Sequence, residues 1–233
     1  MSKYDSAITV FSPDGHLFQV EYAMEAVKKG RCAIGIRGRD CIILAVERKT
    51  AAKLQDTRTA KKINQLDEKL AVAFSGLTAD ARVLIDQARV ECQSFRLTMD
   101  YASSAEYMAR FVARIQQENT QKGGVRPYGV SMFIAGYDRE NQPKLFLTEP
   151  SGAFSQWKAN AIGRNSKVML EYLEANYHEE LSYAEALKLA VRTLIQVVEK
   201  ESRNIEVAVL QPEGLRMVED AEVERTLAEL EQS

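Results

Sequence analysis

The chain has 233 residues, 45% of them hydrophobic and 27% charged, with a formal net charge of −2. That composition belongs to globular proteins, and the length suffices to bury a sizeable core. A nearly balanced charge gives no electrostatic case for nucleic acid, and the longest apolar runs, residues 41–46 and 70–74, are far too short to cross a bilayer, so neither partner is expected.

The N-terminus lacks a basic region followed by a continuous apolar run, so no secretory signal is expected. Ser12-Pro13-Asp14-Gly15 reads as a tight reversal, with proline setting φ and glycine relaxing it. A helix is expected over residues 18–29. Val20, Ala23, Met24 and Val27 recur at i, i+3, i+4 and i+7, Lys28 and Lys29 suit the last turn, and Gly30 suits a C-terminal stop. This helix precedes any strand and so has no sheet of its own to lie on. Residues 32–46 then read as a hairpin, because Cys32, Ile34 and Ile36 alternate with Ala33, Gly35 and Arg37 ahead of a short turn and a buried apolar run. Residues 70–74 make another short buried strand.

Two long helices follow. Leu77, Ala81, Leu84, Ile85, Ala88, Cys92 and Phe95 form one stripe, with Thr78 expected as N-cap and Asp80 in the first turn. Ser103 and Glu106 predict a capping box for the second, striped by Tyr107, Met108, Phe111, Val112 and Ile115 and ended by Gly123-Gly124. Strands are expected over 128–136, 145–148 and 154–162, and a helix over 166–173. A second capping box, Ser182 with Glu185, opens a helix striped by Leu187, Ala190, Val191, Leu194, Ile195 and Val198. A strand over 205–210 and an amphipathic helix over 219–230 complete the pattern. Segregated runs of strands and helices argue against alternating βαβ units and for two stacked antiparallel sheets with helix layers outside. No repeat or linker-like break appears, so one domain over residues 1–233 is expected.

Cys32, Cys41 and Cys92 form no CxxC pair and stand far in sequence from His16 and His178, so no metal site and no cofactor are expected. The thiols read as reduced core residues, and Trp157 reads as core. Gly76, Gly129 and Gly163 read as backbone necessities. Gly123-Gly124 lacks the pattern of a phosphate cradle.

Tyr4-Asp5, Phe11-Ser12-Pro13-Asp14-Gly15 and Gln19-Val20-Glu21-Tyr22-Ala23 together resemble the N-terminal signature of proteasome alpha-type subunits. The resemblance continues in Gly76-Leu77-Thr78-Ala79-Asp80-Ala81-Arg82, in Arg126-Pro127-Tyr128-Gly129-Val130-Ser131 and in Ala161-Ile162-Gly163. Lys53-Leu54-Gln55-Asp56 and the run from Ala88 to Ser94 look most like the type-7 branch of that family. The resemblance implies an α+β fold, a four-layer αββα sandwich of the N-terminal-nucleophile hydrolase type with an extra N-terminal helix. Residues 1–30 would be tail, turn and helix, and residues 31–233 the core. It also implies a seven-membered ring with neighbouring alpha subunits, capping a ring of beta subunits and receiving activator particles through their C-terminal tails. Intracellular protein degradation, ubiquitin-dependent degradation included, in cytoplasm and nucleus is implied with it.

A peptidase of this fold attacks with an N-terminal threonine whose α-amine serves as base. Here Arg31 stands where that nucleophile would begin, and a guanidinium neither attacks a carbonyl nor loses its proton. Cleavage after Arg31 would expose Cys32, a chemically competent group, but would delete the segment that carries the strongest resemblance. No catalytic residue is therefore expected. Glu47 and Lys62 fall near the acid and lysine of the catalytic relatives, and Glu47 reads as a surface or groove charge on a strand end. The resemblance gives Tyr4, Asp5, Pro13 and Tyr22 a gating role in holding the N-terminal tails open. It places Lys62 in a pocket for an activator's terminal carboxylate, against the alternative of a solvated lysine on a strand edge. Ser6 stands where arginine is frequent in the family, so weaker contacts to a neighbour are expected on that side.

Overall fold

The computed structural model describes residues 9–48, 61–198 and 204–231. In chain order these hold α1 (Phe18–Lys28), β1 (Ala33–Arg37), β2 (Ile42–Glu47), β3 (Ile63–Asp67), β4 (Leu70–Gly76), α2 (Thr78–Met99), α3 (Ala105–Gln121), β5 (Val130–Tyr137), β6 (Pro143–Thr148), β7 (Phe154–Trp157), β8 (Ala159–Ile162), α4 (Ser166–Asn176), α5 (Tyr183–Leu194), β9 (Ile205–Gln211), β10 (Gly214–Met217) and α6 (Asp220–Glu231). Two five-stranded antiparallel sheets form, in the orders β10-β9-β2-β1-β8 and β3-β4-β5-β6-β7.

The period of two along each strand divides the core into three slabs. On β1 and β2, Cys32, Ile34, Ile36, Ile43 and Ala45 face one helix layer, where they meet Met169 and Leu173 of α4, Leu187 and Val191 of α5 and Val223 of α6. The intervening Ala33, Ile42, Leu44 and Val46 face the other sheet, meeting Ala71, Ala73, Phe133 and Leu145. On the far side, Leu70, Val72 and Phe74 of β4 pack under Leu84 and Ile85 of α2 and Met108 and Val112 of α3. Strands buried on both faces read in sequence as unbroken apolar runs. The layers are thus helix, sheet, sheet, helix, the four-layer α+β sandwich expected.

Several local readings need correction. Residues 154–162 are two strands, not one. Trp157 pairs with Leu145 of β6 and Ala159 pairs with Ile36 of β1, so the chain leaves one sheet and joins the other at Lys158. Trp157 is half-buried at the rim of the inter-sheet slab rather than within it. Thr78 is the first helical residue and Leu77 the extended N-cap, with no side-chain cap. For α3 the cap is Ser104, whose hydroxyl accepts from the Tyr107 amide at 3.2 Å, so no Ser103–Glu106 box forms; Ser103 is buried beside Cys92 and Glu106 pairs with Arg110. The Ser182–Glu185 box is present. Strands β3 and β10 were absent from the sequence reading; both are short edge strands, β3 carrying the polar Asn64 and Gln65.

Candidate functional site

Strand and helix ends from both sheets converge where the chain passes from α1 into β1. The Arg31–Cys32 peptide group lies at the centre. Its carbonyl accepts from the Lys62 ammonium at 3.3 Å and from the Ser75 hydroxyl at 2.8 Å. Its N–H donates to Glu47 Oε2 at 3.3 Å, and the Cys32 thiol reaches the same oxygen at 3.2 Å. One peptide dipole is therefore held with a cation at its oxygen and an anion at its nitrogen, both favourable orientations. Arg164 closes the far side, donating to Glu47 Oε1 at 2.6 Å, while its own amide donates to the Gly30 carbonyl at 2.8 Å.

The site is crowded, and glycines make the crowding feasible. A Cβ on Gly30 would lie 2.5 Å from the Gly76 nitrogen and 2.6 Å from the Ser75 hydroxyl oxygen. Gly30 follows the end of α1, where the stop was expected, and close approach is what requires a glycine there. Gly163, at φ +91°, would place a Cβ 2.5 Å from the Arg31 carbonyl oxygen. Gly76, at φ +115°, would meet the Gly129 carbonyl at 2.2 Å. That carbonyl accepts from the Leu77 amide, and Asp80 takes the Gly129 amide and both terminal nitrogens of Arg126.

Lys62 is only 6% exposed, with its ammonium 5.6 Å from the centre of the Phe74 ring. Its ammonium is therefore buried rather than solvated in the folded chain. Burial pushes its pKa down to about 8, Arg31 adds to the depression, and Glu47, Cys32 and Glu206 oppose it. Glu47 is likewise not a surface charge, since its side chain is 15% exposed and bonded on both oxygens. Burial first and Glu47 second push the Cys32 thiol up to about 12, which keeps it protonated. With Arg31 at the strand start, Cys32 carrying an amide rather than an amine, and its thiol neutral, the acid and the lysine serve no nucleophile.

Across the strand ends lies α1, buried through Val20, Ala23 and Val27 against β4 and β5. Ahead of it the expected reversal is present. The Gly15 amide donates to the Ser12 carbonyl at 2.9 Å with Gly15 at φ +82°, and the His16 amide reaches the Ser12 hydroxyl at 3.0 Å. Pro13 is exposed, Phe11 is 64% exposed and Tyr22 is 49% exposed. The Tyr22 ring stacks on Phe18, which stacks on His16. Tyr4, Asp5, Ser6 and Lys53-Leu54-Gln55-Asp56 lie outside the described residues. The residues that the sequence reading missed are Ser75 and Arg164. A polar Ser75 between the apolar run of β4 and Gly76 was the available signal.

Among the described residues, no cluster of three or more potential metal ligands is found, and no helix is long and apolar enough to cross a membrane. Comparison with known proteins gives two family matches, one to the proteasome subunits over residues 27–210 and one to the N-terminal signature of A-type proteasome subunits over residues 4–26. The proteasome alpha type-7-B subunit of Oryza sativa subsp. indica is 57% identical over 233 residues, covering 99% of this chain and 93% of that protein. The proteasome alpha type-7 subunit of Cicer arietinum matches to the same extent. The protein of that name from Dictyostelium discoideum is 53% identical over 231 residues, covering 99% and 92%.

Proposed function

The chain belongs to the proteasome alpha-subunit family, as a structural and non-catalytic subunit of the 20S core that associates with other proteasome subunits, and on that premise we propose that it gates substrate entry and receives activator particles. Its place is a seven-membered alpha ring over a beta ring, serving ubiquitin-dependent and other intracellular protein degradation in cytoplasm and nucleus. Residues 1–233 act as one domain, with residues 1–30 as the entrance segment.

The observation that carries this reading is the fixing of that segment. Its helix is bonded at the last turn to the interior of the sandwich, while Phe11 and Pro13 at the reversal and Tyr22 on the helix face outward. A rigid base with an exposed apolar rim suits contact with a neighbouring copy of the same fold. Tyr4, Asp5, Pro13 and Tyr22 are proposed to hold the tails in the open arrangement, and Lys62 to meet an activator's terminal carboxylate, a point charge suited to that anion. The test is reconstitution of particles lacking residues 1–9, assayed for hydrolysis of a fluorogenic peptide without activator. Faster hydrolysis is expected; an unchanged rate removes the gating role. Activator binding that survives Lys62→Ala in the same particles removes the docking role.

A further inference from the structure

The Ser75 hydroxyl has one proton and two acceptors. Its oxygen lies 2.8 Å from the Arg31 carbonyl and 3.2 Å from the Val27 carbonyl, the latter in the last turn of α1. A hydroxyl donates one hydrogen at a time, so the two bonds compete. Ser75 is fully buried, which keeps bulk solvent from taking over either role. The Arg31 carbonyl, however, has a second donor in Lys62. While Lys62 serves Arg31, the Ser75 proton is available to Val27. When Lys62 is drawn elsewhere, Arg31 depends on Ser75, and Val27 keeps only the Gly30 amide at 2.8 Å.

We propose that Ser75 is a two-position relay that couples Lys62 to the C-terminal end of α1, so that whatever engages the Lys62 ammonium changes how firmly the entrance segment is anchored. The inference deepens the docking reading and rests on it for the ligand, a carboxylate. The relay itself rests only on the three bonds above. The charged and titratable groups that act on Lys62 are Arg31, which opposes its charge, and Cys32 beside it just before β1, Glu47 at the end of β2 and Glu206 on β9, which favour it. Among these groups, only the Arg31 carbonyl leads toward α1. Ser75 is in this sense a positioning residue for the gate. It lies in the sheet opposite β1, which is why no motif around α1 reveals it.

The test is amide hydrogen exchange of the full chain in its native assembly, read at Lys29 and Gly30, whose N–H groups close the last turn of α1. Ser75→Ala and Lys62→Met are each expected to speed exchange there about tenfold relative to the amides of strand β5, whose exchange reports any change in global stability. Combined, the two are expected to do no more than Ser75→Ala alone, since both empty the same position. Independent structural roles would instead multiply. A multiplicative double variant, or Lys62→Met without effect at these amides, overturns the relay. Ser75→Cys keeps the volume with a weaker donor and is expected to fall between wild type and Ser75→Ala. A second arm adds a short peptide ending in a free carboxylate, with its C-terminal amide as control. Faster exchange at Lys29 and Gly30 with the free acid alone supports the coupling to a ligand. If the variants behave as expected and the free acid does nothing, the docking reading fails and the relay stands.

Discussion

Replacing Lys62 with methionine tests the electrostatics of the site directly. The folded chain holds the Lys62 proton less tightly than an ordinary lysine, at about 8 against 10.5. That difference corresponds to about 3 kcal/mol of stability withheld by the charged form. In the window between those two values the unfolded chain binds more protons than the folded one, so stability rises with pH there; below pH 8 the whole cost is present. Methionine, one atom shorter than lysine, carries no charge and replaces the ammonium's contact with Phe74 by an apolar one. The Arg31 carbonyl is not orphaned by the change, because Ser75 still donates to it. Lys62→Met is therefore expected to be more stable than wild type by about 2–3 kcal/mol at pH 7, with the advantage falling below about 1 kcal/mol by pH 10. Equilibrium urea unfolding at fixed protein concentration, from pH 7 to pH 10, measures the difference. A gap that stays constant with pH, or a variant less stable than wild type at pH 7, refutes the reasoning.

Two further perturbations probe the supports of the site. Burial raises the pKa of Asp80, but the Arg126 guanidinium and the Gly129 amide outweigh it and hold the carboxyl below its usual value. Its contribution is present above that value and lost as pH falls through the depressed one, so Asp80→Asn should cost about 2 kcal/mol at neutral pH and nothing once the wild-type carboxyl is protonated, as read by unfolding across an acid titration. Gly76→Ala should cost more than about 3 kcal/mol, combining a φ that only glycine adopts readily with a backbone clash at Gly129. Gly124→Ala, also at positive φ but with nothing near its missing Cβ, should cost about 1 kcal/mol in the same thermal or urea assay.

The layers were legible in the sequence because β1, β2, β4, β5 and β9 each carry large apolar side chains at a period of two on at least one face. The edges were not. Strand β3 alternates through Asn64 and Gln65, which carry no apolar period, and it is fixed by pairing with β4 and by Arg89 reaching the Gln65 carbonyl. The passage between sheets at Lys158 is invisible locally, since a strand that continues in a second sheet has the same residue preferences as one that does not. Its partners, Leu145 and Ile36, are set by tertiary pairing. Caps slipped by one residue at Thr78 and Ser103 for a similar reason. At α2 no side chain caps the N-terminus, and Asp80 in its first turn holds the Gly129 amide and Arg126 instead; at α3 two consecutive serines leave the choice to burial, which takes Ser103 inward beside Cys92. Lys62 and Glu47 were found by resemblance, and their burial was not, because a charged residue ordinarily reads as exposed.

The same burial accounts for an acid and a lysine in a site with no nucleophile. The Arg31–Cys32 peptide group stands just before β1 begins, with its polar atoms inside the protein, and buried backbone groups must be paired. Glu47 supplies the acceptor for its N–H, and Lys62 with Ser75 the donors for its carbonyl. Charges that a peptidase would use on a reacting group are spent on an unreactive peptide bond, and the bond they hold lies in the link between α1 and the sheets. The segments of resemblance then form one physical unit rather than scattered marks. Residues 76–82 and 126–131 are locked together through Gly76, Gly129, Asp80 and Arg126. Residues 161–163 reach the Arg31 carbonyl through Gly163, and Ala26 of α1 lies against Gly129. How firmly the base of α1 is held is therefore a property of this junction and not of the helix alone.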